Sequence, residues 1–280
     1  MSLRFWLNNK RIKQASVLLA LFFLSLRISV AASLDYEYPD FKPLIGANAT
    51  LHNSFTKEPF IGITSHHLPT AAPMLNNFFS LLKKKRKNIK TFVVIGPDHS
   101  ERCRQKFVST NSDIGTMYGK LKLDKELSQK ILASGVKIEN NCFVGEHSIG
   151  VEVSYIKKYY PEAKVVPILL AYSAKNFEYR PFINILKKNQ KDIFVLESTD
   201  FSHYVNVRQS NIRDAVSERL IKRGDRDGFT LKLIDSPATI KIILELADVL
   251  NLKPEIIEHK NSFDYTGLYN NTTSYFSVFF

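Results

Sequence analysis

Three short apolar runs in this chain each stop at a polar cluster containing histidine, and that recurrence constrains the fold more than any other feature. Phe60-Ile61-Gly62-Ile63-Thr64 runs into Ser65-His66-His67, and Thr91-Phe92-Val93-Val94-Ile95 is stopped by Gly96-Pro97-Asp98-His99. Ile193-Phe194-Val195-Leu196 ends in Glu197-Ser198-Thr199-Asp200-Phe201-Ser202-His203-Tyr204. Short apolar runs rich in β-branched residues and bounded by turn formers read as buried strands. Between them the spacing turns helical: Met74, Leu75, Phe78, Phe79, Leu81 and Leu82 predict a helix over 71–85. Other helices are expected from Asp124 to Ala133, along the face Ile149, Val153, Ile156 and Tyr160, and near 177–188, 207–223 and 237–250. Val165–Leu170 and Tyr275–Phe280 read as further strands. Strands alternating with helices predict a single α/β domain whose central sheet is mixed, largely parallel and flanked by helices.

In open α/β sheets, ligands bind beyond the carboxyl ends of the strands, where the loops converge. Of the seven histidines, His66, His67, His99 and His203 lie just beyond such ends, and His147 follows Glu146 ahead of a helix. A lone loop histidine is usually a surface residue or a satisfied core residue. Five in comparable topological positions predict a functional cluster. Imidazole is the commonest metal ligand, and carboxylates supply charge or orient the ring. His52 and His259 have no such company and are set aside.

The N-terminus reads differently from the rest. Arg4, Lys10, Arg11 and Lys13 precede an apolar run from Ala15 to Leu26, and Ser29-Val30-Ala31-Ala32 follows it. Basic residues, a short apolar core and a small-residue exit predict a signal peptide over 1–32, with a retained N-terminal membrane anchor as the alternative. An exported, extracytoplasmic protein is expected, secreted or membrane-anchored, with its domain over 33–280. Five of the 39 basic residues and none of the 27 acidic ones fall in the leader, so the net charge of +12 drops to +7 beyond it. The densest run, Lys83-Lys84-Lys85-Arg86-Lys87, ends a predicted helix, where cations complement the helix dipole and are normally solvated. No basic face with interleaved aromatic residues argues for nucleic acid. Cys103 and Cys142 could close a disulfide in an oxidising compartment or remain two thiols.

Several of these stretches, taken in order, resemble the Memo family, the protein B component of the AmmeMemoRadiSam set. The resemblance runs from about Gly62 to Phe280 and rests on Ile61 to His67, Val94-Ile95-Gly96-Pro97-Asp98-His99-Ser100 and Gly115 to Asp124. Glu146-His147-Ser148-Ile149 with Val151-Glu152-Val153, then Val166-Pro167-Ile168-Leu169, continue it. Ser198-Thr199-Asp200-Phe201-Ser202-His203-Tyr204, Phe263-Asp264-Tyr265-Thr266 and the Tyr275 strand complete it. The resemblance implies a fold related to class III extradiol dioxygenases, which hold non-haem iron, and an association with copper or iron. It makes His66 or His67, and His99, metal-ligand candidates. Glu146, His147, Asp200 and His203 would line the pocket and supply its acid/base chemistry.

One departure bears on the metal. The family often supplies a cysteine before the penultimate helix, where this chain has Leu233-Ile234-Asp235-Ser236-Pro237. Asp235 is thereby the fourth ligand candidate, and replacing thiolate by carboxylate favours harder divalent ions over Cu(I). Asp235 could equally belong to a helix N-cap ahead of Pro237. A bound Fe(II), Cu or Zn ion and a small-molecule substrate are expected, with a dioxygenase-like oxidoreductase as the first reading. A non-catalytic metal- or ligand-binding surface module is the second, and a surface protein making contact through Lys83–Lys87 and its membrane tether is the third. Neither a Gly-x-Ser-x-Gly elbow nor a His-Glu-x-x-His helix supports a named hydrolase class.

Overall fold

The computed structural model describes residues 34–35, 58–176 and 178–280. The expected leader lies outside the described residues. Eleven described strands form one sheet, built outward from a parallel centre. In that centre β8 (Lys164–Leu170), β3 (Thr91–Pro97), β9 (Ile193–Ser198) and β2 (Ile61–Thr64) lie side by side in that order. All three pairings are parallel, with Thr91 level with Lys164 and Ile193, and Ile61 level with Val195. Beyond β2 the sheet turns antiparallel through β11 (Ser274–Phe279) and β10 (Glu255–Asn261).

On the other side β6 (Gly119–Leu123) joins the first residues of β8 in parallel, and β5 (Ile114–Thr116) and β1 (Leu34–Asp35) continue from it. Two short strands, β4 (Phe107–Ser109) and β7 (Lys137–Ile138), attach at the far end of β8. The sheet is therefore mixed with a parallel core, as the sequence predicts.

The central strands are buried on both faces, which is why their sequences are continuously apolar. Alternate residues feed different cores, as the period of a strand requires. Val93, Ile95, Val166, Ile168 and Val195 join one core, capped by α4 (Arg180–Lys188) and α6 (Pro237–Val249). Phe92, Val94, Val165, Leu169, Phe194 and Leu196 join the other, capped by α1 (Ala72–Lys85) and α3 (His147–Tyr159). Each such side chain contributes roughly 1.5–3 kcal/mol on burial.

The remaining described α-helices are α2 (Lys125–Leu132), α5 (Val207–Arg223) and the short α7 (Ser262–Thr266). Asp124 caps α2 as expected, accepting from the Leu127 amide at 3.1 Å. None of the described helices is long and apolar enough to cross a membrane.

Several features depart from the sequence reading, the short strands β1, β4, β5 and β7 among them. β10 was not expected: Glu255-Ile256-Ile257-Glu258-His259-Lys260-Asn261 is a half-buried edge strand with a polar composition, so it carries no apolar run. Arg86 differs from its lysine neighbours, because it is buried. Its guanidinium donates to the carbonyls of Pro59, Gln190 and Lys191 at 3.1–3.2 Å, tying the start of β2 to the turn before β9.

The end of β3 is shaped by a close approach. A Cβ at Gly96 would lie 2.7 Å from Ser148 Oγ and 2.9 Å from Ser148 Cβ. Ser148 Oγ donates to the Pro97 carbonyl at 2.9 Å, so the first turn of α3 is pinned against the strand that carries His99. Gly96→Ala should push α3 outward and destabilise the domain by about 1–3 kcal/mol, the usual cost of overpacking. Chemical denaturation of both proteins checks this, and a variant as stable as wild type would show that the contact is not tight.

Candidate functional site: convergent histidines and carboxylates

Because β3, β9 and β2 are adjacent and parallel, their three polar ends emerge on the same edge of the sheet. His66 follows β2 and is almost fully buried. Its Nδ1 lies 3.0 Å from Ser198 Oγ, and Ser198 donates onward to Glu152 Oε1 at 3.4 Å. The Nδ1 atom is thus engaged from behind the ring, and Nε2 is turned towards the pocket. There Nε2 is 3.4 Å from Asp235 Oδ2 and 3.7 Å from Asp200 Oδ2.

Asp235 does not cap α6. Ser236 takes that role, accepting from the Thr239 amide at 3.3 Å. Asp235 instead turns into the site, where Oδ1 accepts from Thr199 Oγ1 and Oδ2 from the Asp200 amide at 3.0 Å. The reciprocal bond from the Asp235 amide to the Asp200 carbonyl, also 3.0 Å, locks the two segments together. Asp200 Oδ1 accepts from Ser65 Oγ. Burial opposes the charge of Asp200, but His66 and His203 outweigh it and hold the carboxyl well below its usual range.

His99 approaches from β3, with Nε2 3.6 Å from Asp235 Oδ2 and Nδ1 2.8 Å from Glu146 Oε1. Glu146 also accepts the His99 amide at 2.9 Å and the Ser148 amide at 3.0 Å, so one carboxylate caps α3 and orients the ring. Burial works against the imidazolium, but Asp235 and Glu146 prevail and raise the His99 pKa to about 10. Glu146 moves the other way: burial would raise it, yet the His99 hydrogen bond brings it to about 2.

His147 stacks on His99 with ring centroids 4.2 Å apart, and burial together with the charges of His66 and His99 lowers its pKa to about 4. His203 Nε2 is 3.8 Å from Asp200 Oδ2. Burial disfavours the charge of His203, but Asp200 more than compensates and raises its pKa. The residue after it, Tyr204, holds a left-handed φ of 54°, a strained conformation for so bulky a residue.

His67 stands apart from both groups of convergent ligand atoms. Its Nδ1 lies 2.6 Å from the Tyr275 hydroxyl, and burial lowers its pKa. Neighbouring residues of an extended backbone point in opposite directions, so one strand end cannot aim both histidines at one point. Asp98 is likewise a loop organiser, accepting from Ser100 Oγ and the Cys103 amide.

Sequence reasoning missed Ser65, Ser198 and Glu152. The available signal was Glu152 itself, a fully buried acid on the inward face of α3 between Val151 and Val153. Burial raises its pKa well above the ordinary carboxyl value, so it is held as the neutral acid. The two cysteines are joined, with Cα atoms 5.2 Å apart. The bridge ties the loop after His99 to the 3-10 turn (Asn140–Phe143) just ahead of Glu146. In the chain-entropy model a loop of this length is worth about 4 kcal/mol.

The donor set fits a metal ion. His66, His99 and His147 form one group whose ligand atoms lie within 4.8 Å of one another, and His66, Asp200 and Asp235 form another. The separations of 3.4–3.7 Å among His66, His99, Asp200 and Asp235 are too long for good hydrogen bonds. Two ligands each bonded at about 2.1 Å and set at a tetrahedral angle are about 3.4 Å apart. The gaps therefore have the size of the edges of a coordination polyhedron.

A family model described as Memo-like protein matches residues 52–279 of this chain. The chain belongs to the Memo family. A MEMO1 family protein of Pyrobaculum aerophilum is 24% identical over 201 residues, covering 68% of this chain and 72% of that one. One from Metallosphaera sedula is 23% identical over 253 residues, covering 85% and 86%. Another, from Aquifex aeolicus, is 26% identical over 201 residues, covering 67% and 74%. The mixed sheet flanked by helices is consistent with the Memo fold and its relation to extradiol dioxygenases.

The opposed shifts of Glu146 and His99 make the stability of this Memo domain depend on pH. The Glu146 contribution is present above its reference value of 4.5 and is lost as pH falls towards 2. That of His99 is complete below 6.5 and is lost as pH rises towards 10. The His99 contribution therefore lowers the denaturation midpoint of metal-free protein as pH rises above 6.5, and the Glu146 contribution lowers it as pH falls below 4.5. Glu146→Gln should flatten the acid limb; an unchanged limb would contradict the assigned shift.

Proposed function

We propose that this Memo protein is a metal-dependent, dioxygenase-like oxidoreductase acting on a small molecule, with the ion held by His66, His99 and Asp235. The observation that carries the reading is the convergence of two imidazole Nε2 atoms on Asp235 Oδ2, at 3.4 and 3.6 Å. Two histidines and one carboxylate suit a hard divalent ion such as Fe(II), with Cu or Zn as alternatives, and leave coordination positions open. Bound there, the ion would supply a Lewis-acid or redox centre.

The surrounding residues have distinct duties in this scheme. Glu146 and the Ser198–Glu152 pair orient the two imidazoles from behind. Asp200 adds negative charge beside His66 and stabilises a cation in the pocket. His147, uncharged at neutral pH and 46% exposed, can accept a proton from a substrate hydroxyl. His203, whose pKa is raised by Asp200, can hold and return one. An oxidising compartment outside the cytoplasm belongs to the same reading, supported by the cysteine bridge and the basic-apolar leader.

Elemental analysis of purified protein tests the proposal. Wild type should carry near-stoichiometric iron, copper or zinc after reconstitution, and His99→Ala and Asp235→Ala should lose it. His203→Ala should retain the metal but lose oxygen consumption with a reducing aromatic substrate. A folded wild type that stays empty would refute the metal site. Tight binding without turnover on any substrate would favour the non-catalytic module, for which the same donor set suffices.

A further inference from the structure

The edge of the sheet opposite the histidines has a character of its own. Parallel connectivity points the C-termini of α1, α3 and α4 at it, and their last turns carry Lys83–Lys85, Lys157 with Lys158, and Lys187 with Lys188. Helix-dipole complementarity explains each of these clusters singly. It does not explain Lys87, Lys90, Lys164 and Lys191, which come from loops and from the first residue of β8 and are all exposed. Lys83, Lys87, Lys90, Lys130 and Lys164 surround one cleft of about 680 Å³, which Tyr160 and Asn189 also line. Asp192 neutralises Lys90 at 2.8 Å, and Glu126 neutralises Lys130 at 2.7 Å. Asp124 and Glu162 are the other acids lining this cleft.

A second observation concerns the position of Leu34 in the sheet. β1 pairs with β5 so that Leu34 lies level with Ile114, and Ile114 lies level with Leu121. Leu121 comes one residue before Lys122, which pairs with Lys164. The domain therefore begins, at Leu34, on the lysine edge. The apolar stretch Ala15–Leu26 ends eight residues before Leu34, a span of at most about 28 Å in an extended chain. A bilayer that holds this stretch would therefore lie within that distance of Leu34.

We propose that the lysine-rich edge seats on an anionic lipid bilayer, so that the histidine edge faces away from the membrane. Polybasic surfaces bind anionic lipids by charge and add to the hold of an apolar segment that is marginal alone. Among the described residues this edge offers no aromatic platform for stacked bases, which argues against nucleic acid as the partner.

Amine-reactive footprinting of the full chain, read by mass spectrometry, tests this. On phosphatidylglycerol vesicles Lys84, Lys87 and Lys164 should label several-fold more slowly than on neutral phosphatidylcholine vesicles. Lys106 and Lys232, both exposed and on the histidine side, should label equally on the two. The triple variant K84Q/K87Q/K164Q, with its fold verified by circular dichroism, should partition onto anionic vesicles about a hundredfold less, at about fivefold per lysine neutralised. Any of three results would overturn the proposal: uniform labelling of bound protein, equal protection on neutral vesicles, or unchanged partitioning of the folded variant. So would protection of the same lysines by soluble nucleic acid but not by vesicles.

Discussion

The site depends on the parallel register of β9 between β3 and β2. Ile193 is level with Thr91, and Val195 with Ile61, so the three strands run out together and their polar ends converge. A one-residue slip in any pairing would exchange the two faces of that strand and send its apolar residues to the wrong core. The two cores thus enforce the register, and the register enforces the site. The reciprocal amide bonds between Asp200 and Asp235, the Ser148–Pro97 bond at Gly96 and the Cys103–Cys142 bridge then fix the loops that the ladder cannot reach.

Electrostatically the pocket is a balance of facing opposites. Asp200, Asp235 and Glu146 bring three carboxylates into a largely buried region, and His66, His99, His147 and His203 answer them. Without an ion the cluster is stabilised by the positive charge of a protonated His99, which faces Glu146 through Nδ1 and Asp235 through Nε2, and this is why that pKa is raised so far. Burying charge is tolerable only when it is paired. A divalent cation at the same point would satisfy the carboxylates without the proton and would release it on binding. The neutral Glu152 fits the same logic: a fourth negative charge, behind His66 and near Asp200, would be uncompensated.

Much of this was legible in the sequence because strand ends announce themselves. Apolar β-branched runs stopped by His66, His99 and Asp200 with His203 mark the carboxyl edge of a parallel sheet. The orientation of individual side chains was less legible. Whether His66 or His67 faces the site depends on strand direction at the last residue, and Tyr275, 208 residues away, takes the other ring. Asp235 reads equally as a ligand and as a capping residue until the structure gives the cap to Ser236. His259 looked solitary, yet Asp214 holds its Nε2 at 3.0 Å within a buried serine network. Such a pairing is long-range and leaves no local pattern.

The central claim, two imidazoles and one carboxylate on a single ion, is tested most directly by X-ray absorption spectroscopy of the iron-loaded protein at the metal edge. The account predicts a first shell of nitrogen and oxygen only, at about 2.0–2.2 Å, with outer-shell scattering from two imidazole rings. A sulfur scatterer, or a shell of water oxygens without imidazole, would contradict it.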